Sequence, residues 1–241
     1  MIALFSRTFK EIMRDSITLF FGIIFPVILL LLLSAIQANI PVSLFEISSL
    51  APGLCVFGLS FTTLFSALLI SKDRESMFLQ RLYTSPLTPL DFILSYTLPV
   101  IVIACMQSIA LYIVAIILGL KITFSILLAI LGSTIISILF IGVGLLFGSI
   151  LSSKQVGSIC GALFTNLTAW FSGIWFDLNL VGSTFKTISN VLPFVHCVEI
   201  EKALLSLNFE NFLLHIVVVL IYIVIVYALA AFFFLKQMKD K

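Results

Sequence analysis

The side chains able to do acid–base, nucleophilic or metal chemistry are few in this sequence of 241 residues. His196 and His215 are the only histidines, and neither belongs to a recognisable nucleophile or metal constellation. The cysteines are scattered without metal-ligand spacing, and three of them lie inside apolar runs; they are Cys55, Cys105, Cys160 and Cys197. We therefore expect small buried side chains rather than a disulfide framework, and no enzyme activity in this chain.

A phosphate-binding loop is also missing. The nearest approach to the pattern G-x-x-x-x-G-K-[ST] begins at Gly148, but Ser153 stands at the required second glycine position. Without that glycine the backbone cannot wrap phosphates. If the chain takes part in ATP-driven work, we expect no cofactor in it, and ATP and Mg²⁺ on a separate ATPase subunit.

A mixed-charge segment at residues 71–91, SKDRESMFLQRLYTSPLTPLD, is the most distinctive polar feature. A short helix is predicted over Lys72 to Tyr83, because Pro86 and Pro89 prevent its continuation. Charges of both signs around apolar side chains favour docking onto another protein over a plain solvated loop. The predicted docking residues are Asp73, Arg74, Glu75, Phe78, Arg81 and Leu82.

The segments that must position these residues are strongly apolar. Apolar residues make up 61% of the chain and charged residues 10%, with a mean hydropathy of +1.28; a soluble domain has about a quarter of its residues charged. Six stretches are long enough to cross a bilayer, and they predict one all-α integral membrane domain over residues 1–241. The predicted spans are residues 17–36, 50–70, 92–120, 122–151, 155–176 and 216–235.

The charge distribution predicts how these spans are oriented. With both termini in the cytoplasm, ten lysines and arginines lie inside and three lie outside, as the positive-inside rule requires. The protein is thus expected in the cell membrane as a multi-pass chain. None of the six apolar cores contains Asp, Glu, Lys or Arg, which disfavours an ion-driven carrier because such a carrier needs an ionisable group at membrane depth.

The segment before the first span, residues 1–16, is predicted to be an amphipathic helix lying on membrane lipid at the inner interface. Its cations Arg7, Lys10 and Arg14 occupy one side. Its predicted apolar face consists of Ile2, Phe5, Phe9, Ile12 and Met13.

The external segment at residues 177–215 is long but still apolar. We expect short helices that partly re-enter the outer leaflet, because packing against the spans would satisfy their backbone groups. A helix is predicted over Val195 to Leu207, after Pro193. Its charged residues Glu199, Glu201 and Lys202 fit either an extracellular exit or a satisfied surface network.

The fifth predicted span contains small and polar residues. Gly157 and Gly161 allow close approach of another helix, either within one subunit or between subunits. An asparagine in hydrocarbon is costly unless it faces protein or a pathway. The candidate pathway-facing residues are Asn166, Thr165 and Trp170 of this span with Thr62, Thr63 and Ser66 of the second span.

Two strings carry a resemblance to a known family. DRESMFLQRLYTSPLTPLDFIL is similar to the cytoplasmic loop of ABC-2 type exporter permeases, and SGIWF followed by VLPFVHCVEIEKALL resembles their external region. The order of six spans, interfacial helix and basic C-terminus matches as well. The sequence departs from the family at Ser76 and Met77, where members often have Gly-Thr.

The resemblance implies the transmembrane subunit of a drug- or antibiotic-type exporter. Its implied partners are ATP-binding cassette ATPase subunits and a second permease copy or paralogue, with membrane lipid around them and no nucleic acid. The alternatives are an ATP-independent transporter or channel, and a membrane scaffold or immunity protein. The substrate stays open, since amphipathic drugs, lipids, peptides and polymers all fit an uncharged pathway.

Overall fold

The computed structural model describes residues 2–41, 45–78 and 89–239, and these residues form helices with no strand among them. The predicted all-α class is therefore confirmed. The sixth helix has three pieces, Ser153–Val156, Gly157–Phe164 and Thr165–Phe171, and is called α6. The others are α1 (Ile2–Arg14), α2 (Ser16–Gln37), α3 (Ile47–Glu75), α4 (Pro89–Ile117), α5 (Ser125–Ile150), α7 (Leu178–Val181), α8 (Ser183–Val191), α9 (Pro193–Ser206) and α10 (Phe212–Lys239).

Five of the described helices, α2, α3, α4, α5 and α10, are long and apolar enough to cross a membrane. The stretch predicted as another span, residues 155–176, is helical only as far as Phe171, and its middle piece is wound as a π-helix. Helix α6 begins at a capping box, in which Ser152 and Gln155 bond each other's backbone N–H groups. It ends before Gly173, whose φ of +73° favours glycine.

Helix α3 lies at the centre of the bundle and is buried along most of its length. Small residues bring α5 against it. A Cβ atom at Gly144 would overlap the Oγ atom of Ser66 and the carbonyl oxygen of Thr63, and one at Gly148 would lie 2.6 Å from the carbonyl oxygen of Ala67. The two backbones can approach this closely only because glycine has no side chain.

The bundle has two ends with different polar contents. The end called the Arg7 end holds α1, the last turns of α3 and α5, and the first turns of α4 and α6. The opposite end, called the Glu201 end, holds the first turns of α3 and α5, the last turn of α4, and helices α7 to α9.

Helix α1 packs against the bundle along one side. Leu4, Thr8 and Ile12 are buried, and Leu4 and Ile12 join a core cluster with Ile70 and Tyr96. Of the apolar face that we expect on membrane lipid, Ile2 and Met13 are exposed, whereas Ile12 is buried against the bundle. The predicted helix is confirmed, and its contact with lipid stays a prediction.

Candidate functional site

The last turn of α3 binds helix α1 through a buried ion pair. Arg7 donates two hydrogen bonds to Asp73, at 2.6 Å from Nη1 to Oδ2 and 2.5 Å from Nη2 to Oδ1. The Tyr96 hydroxyl of α4 donates to the same carboxylate, which is only 3% exposed. The hydrogen bonds that Arg7 donates to Asp73 raise the pKa of its guanidinium. Such a bidentate pair fixes orientation as well as supplying energy.

The next two residues bind two further elements. Arg74 donates to the carbonyl oxygens of Ser149 and Leu151, where α5 ends. Glu75 accepts from the backbone N–H and the hydroxyl of Ser153, both at 2.7 Å, where α6 begins. These bonds place a cation at a helix C-terminus and an anion at a helix N-terminus, as the helix dipoles favour. Three consecutive side chains thus connect α3 to α1, α5 and α6.

Beyond Glu75 the chain leaves the helix. Residues Lys72 to Glu75 are the final turn of α3, and Met77 has a left-handed backbone with φ of 59°. The predicted boundary at Lys72 is therefore wrong, since no separate helix begins there. Phe78 lies under Arg7, with the guanidinium carbon 4.1 Å from the ring centroid. Arg81 and Leu82 lie outside the described residues.

The two other predicted cations of α1, Lys10 and Arg14, are exposed, on the side away from the bundle. Only Arg7 of the three turns inward. A short link joins α1 to α2: Asp15 accepts from the backbone N–H groups of Ile17 and Thr18 at 3.1 and 3.3 Å. Asp15 thus caps the N-terminus of α2 directly after the end of α1.

The candidate pathway residues divide into a buried and an exposed group. Thr62, Thr63 and Ser66 are buried between α3 and α5, and their hydroxyls donate to backbone carbonyls, as from Thr63 to Phe140 at 2.9 Å. Thr165 is also buried. Asn166 and Trp170 are exposed on α6. A pathway role stays a prediction for all six residues. For the buried residues it requires a different packing of their helices, α3 and α6, against the bundle.

The predicted small pair of α6 behaves differently at its two positions. A Cβ atom at Gly161 would lie 3.2 Å from Leu64 of α3, whereas nothing lies within 4 Å of one at Gly157. Gly161 therefore faces the core of its own subunit, and Gly157 faces outward.

The acidic residues of α9 separate at the Glu201 end. Glu199 bonds Lys202 at 2.9 Å, and both line an open cavity of about 550 Å³ with Asp177, Lys186 and His215. Glu201 points the other way and is fully buried, with its Oε1 atom 2.8 Å from the Tyr112 hydroxyl. Glu199 and Lys202 fit both alternatives for this segment, an exit and a surface network, whereas the buried Glu201 fits neither.

The two histidines meet at the same end. Their Nδ1 atoms are 2.7 Å apart, and Nε2 of His196 is 2.9 Å from the carbonyl oxygen of Asn190. Because a carbonyl only accepts, Nε2 of a neutral His196 carries the proton and its Nδ1 accepts from His215. The pair joins α9 to α10 structurally, and sequence spacing gave no sign of it.

The role of Tyr96 and the burial of Glu201 were missed at the sequence level. Tyr96 was counted as part of an apolar span, and nothing local marks its hydroxyl as a partner of Asp73. Glu201 had a usable signal, because it falls on the same helical stripe as Phe194, Cys197 and Val198, at intervals of seven, four and three residues. A charged residue on an apolar stripe is a candidate for burial.

The helices and contacts described above define a multi-span membrane protein. The model of the ABC-2 type transporter family matches residues 1–206. The chain belongs to that family, and it is a membrane transport permease.

One curated relative supports this assignment. The chain is 43% identical over 91 residues to the "Putative transport permease ycf38" of Porphyra purpurea, which covers 35% of this chain and 31% of that protein. The chain therefore matches only about a third of that relative's length. No solved structure matches the chain.

Proposed function

We propose that the chain is the permease subunit of an ATP-driven exporter, with separate ATPase subunits docked at the Arg7 end. The single observation that carries this proposal is the turn at Asp73, Arg74 and Glu75, which bonds α1, α5 and α6 at once. A displacement of the segment that follows it would move all three elements together. ATP binding to the partner subunits could thus shift the equilibrium between two packings of the bundle.

The proposed topology adds α6 to the five candidate spans, which gives six crossings. Its residues 153–171, at about 1.5 Å per residue, span about 28 Å, close to the ~30 Å hydrocarbon core. Six crossings put both termini at the Arg7 end, and the charge bias places that end in the cytoplasm of a cell-membrane protein. The cavity lined by Glu199 and Lys202 then opens to the outside.

Replacing Phe78 with alanine should lower transport per ATP hydrolysed in a reconstituted complex. The Phe78 ring stacks on the Arg7 guanidinium and so connects the docking segment to α1. Loss of a cation–π contact of ~1 kcal/mol should lower the ratio of transport to ATP hydrolysis about fivefold. Met77→Ala is the matched control, since Met77 is exposed. Equal coupling ratios in the two variants would contradict the docking assignment, and transport by the purified chain alone would contradict the ATP-driven mechanism.

We also propose that a second permease copy or paralogue covers the exposed side of α6. Gly157, Ala162, Asn166 and Trp170 are exposed on this helix. The Asn166 amide donates only to the carbonyl oxygen of Ala162, at 2.8 Å, so its remaining polar atoms would face hydrocarbon unless protein covers them. Small residues on the same surface permit close helix approach.

Disulfide cross-linking in membranes tests this interface. Asn166→Cys should give oxidant-dependent dimers, because a two-fold interface on this side of α6 would bring the position close to its copy. Thr168→Cys, two residues away and fully buried, should stay monomeric, as should the parent chain with its native cysteines. Equal cross-linking of the two variants would exclude α6 as the interface.

A further inference from the structure

Glu201 is a carboxyl group enclosed between helices. It is 0% exposed, although its helix α9 is not one of the five candidate spans. Its Oε1 atom accepts from Tyr112, while its Oε2 atom has no hydrogen-bond partner among the described residues. A Cβ atom at Gly132 would lie 3.3 Å from Oε2, so this oxygen lies against the backbone of α5.

The carboxyl group lies among helices α3, α4 and α5, well inside their ends. Its polar surroundings are Cys55 on α3, Ser108 on α4 and Ser133 on α5; the Ser133 hydroxyl donates to Ser108 at 2.7 Å, and the Cys55 thiol lies 3.4 Å from Ser108. Cys55 and Ser133 each lie eight residues inside their helix starts, about 12 Å at 1.5 Å per residue. A residue outside the spans therefore supplies the ionisable group that the predicted span cores lack.

No cation faces this group from the described helices around it. Tyr112 of α4, Cys55 of α3 and Cys197 of α9 itself are the titratable groups nearby. From α10, His215 bonds His196 on another side of α9, and α8 reaches that same histidine through Asn190. Helix α5 contributes Gly132 and Ser133.

Burial without a cation favours the neutral acid. Desolvation raises the pKa of Glu201 to about 8, against the opposing effect of the hydrogen bond from Tyr112 and of the nearby Cys55 thiol. A neutral carboxylic acid with one bonded oxygen costs far less to bury than a carboxylate.

We propose that Glu201 is a proton-binding site, which holds a proton while α9 is packed against α3, α4 and α5 and releases it to water when this packing opens. On release the O–H bond breaks, the electron pair stays on the carboxylate and the proton goes to water. Val198, Glu199 and Lys202 of the same helix line the open cavity, so a change in the packing of α9 can connect the carboxyl group to that cavity. The site links one proton to the position of α9, independently of any ATPase partner.

The pH dependence follows from linkage. The pKa of Glu201 is about 8 in the folded chain against an ordinary value of 4.5, so the folded state binds the proton more tightly. The stability that the proton confers is complete below pH 4.5 and is lost as the pH rises through about 8.

The test is thermal unfolding of the full chain in lipid nanodiscs, from about pH 5 to about pH 9, a range that spans the folded-state pKa. Relative to Glu201→Gln, which keeps an oxygen for Tyr112 but does not titrate, the parent melting temperature should fall as the pH rises. Glu199→Gln is the matched control on the same helix and should follow the parent. A parent curve parallel to that of Glu201→Gln would overturn the proposal.

Two further measurements separate proton binding from a purely structural role. Tyr112→Phe keeps the carboxyl group and removes a bond that lowers its pKa, so the loss of stability should move to higher pH. Hydrogen–deuterium exchange in α9 should increase with pH in the parent relative to Glu201→Gln at each pH. A pH midpoint unchanged by Tyr112→Phe, or exchange in α9 identical in parent and Glu201→Gln, would also overturn the proposal.

Discussion

Replacing Asp73 with asparagine should destabilise the permease and release helix α1 from the bundle. The carboxylate is buried and accepts two hydrogen bonds from Arg7 and one from Tyr96. Asparagine has nearly the same shape, but its amide group carries no charge and turns N–H donors toward the guanidinium donors, which leaves Arg7 with only the exposed Glu11 carboxylate. Breaking a buried pair typically costs 3–5 kcal/mol; we expect about 3 kcal/mol because Arg7 is partly exposed.

The measurements are thermal unfolding in detergent or nanodiscs and limited proteolysis near residue 15. The control is Glu11→Gln, which removes the other carboxylate of Arg7, 3.1 Å away on the exposed side of the same helix. An exposed pair at this spacing contributes about 0.3–0.5 kcal/mol. If both variants unfold alike and α1 stays protected in Asp73→Asn, the ion pair does not hold the helix.

Gly144→Ala should separate helices α3 and α5 and lower the amount of folded protein. The added Cβ atom would overlap the Ser66 hydroxyl, which can rotate, and the backbone carbonyl oxygen of Thr63, which cannot move without moving α3. Overpacking in a core commonly costs 1–3 kcal/mol, and a backbone clash on the central helix points to about 3 kcal/mol. Thermal unfolding and the yield of monodisperse protein in detergent measure the effect.

Gly157→Ala, measured on the detergent-solubilised monomer, is the matched control for packing within the chain, because no described atom of the chain lies within 4 Å of its added Cβ atom. Adding Ser66→Ala to Gly144→Ala should recover only part of the stability, since the overlap with the Thr63 carbonyl remains. Full recovery of stability would mean that only the Ser66 hydroxyl clashes with the added Cβ atom. Equal stability of the two glycine variants would contradict the packing of α3 against α5.

The elements were largely predictable because their signal is local. The apolar stretches from Ile17 and Ile122 correspond to α2 and α5 within a few residues. Helix α3 extends to Glu75, a full turn beyond its last apolar residue, because Asp73, Arg74 and Glu75 each find a partner. Such partners belong to other elements, so hydropathy alone ends the helix too early.

The candidate site was predicted as a position but not as an arrangement. The charge pattern marked the segment after Ile70 as a candidate site. Its charges of both signs predicted a surface that docks onto another protein. Arg7 and Asp73 are 66 residues apart, and nothing in either local pattern pairs them. The docking role itself remains a prediction.

The sequence alone determined that this chain is a multi-span membrane protein of the ABC-2 type, because hydropathy and motif order require no tertiary contact to be recognised. Only the tertiary structure decided which charges are used inside the chain. Asp73 bonds α1 instead of facing outward, and Glu201 enters the bundle while Glu199 lines a cavity two residues away. The physical reason is that the burial of a charge depends on helix rotation and on partners from other elements.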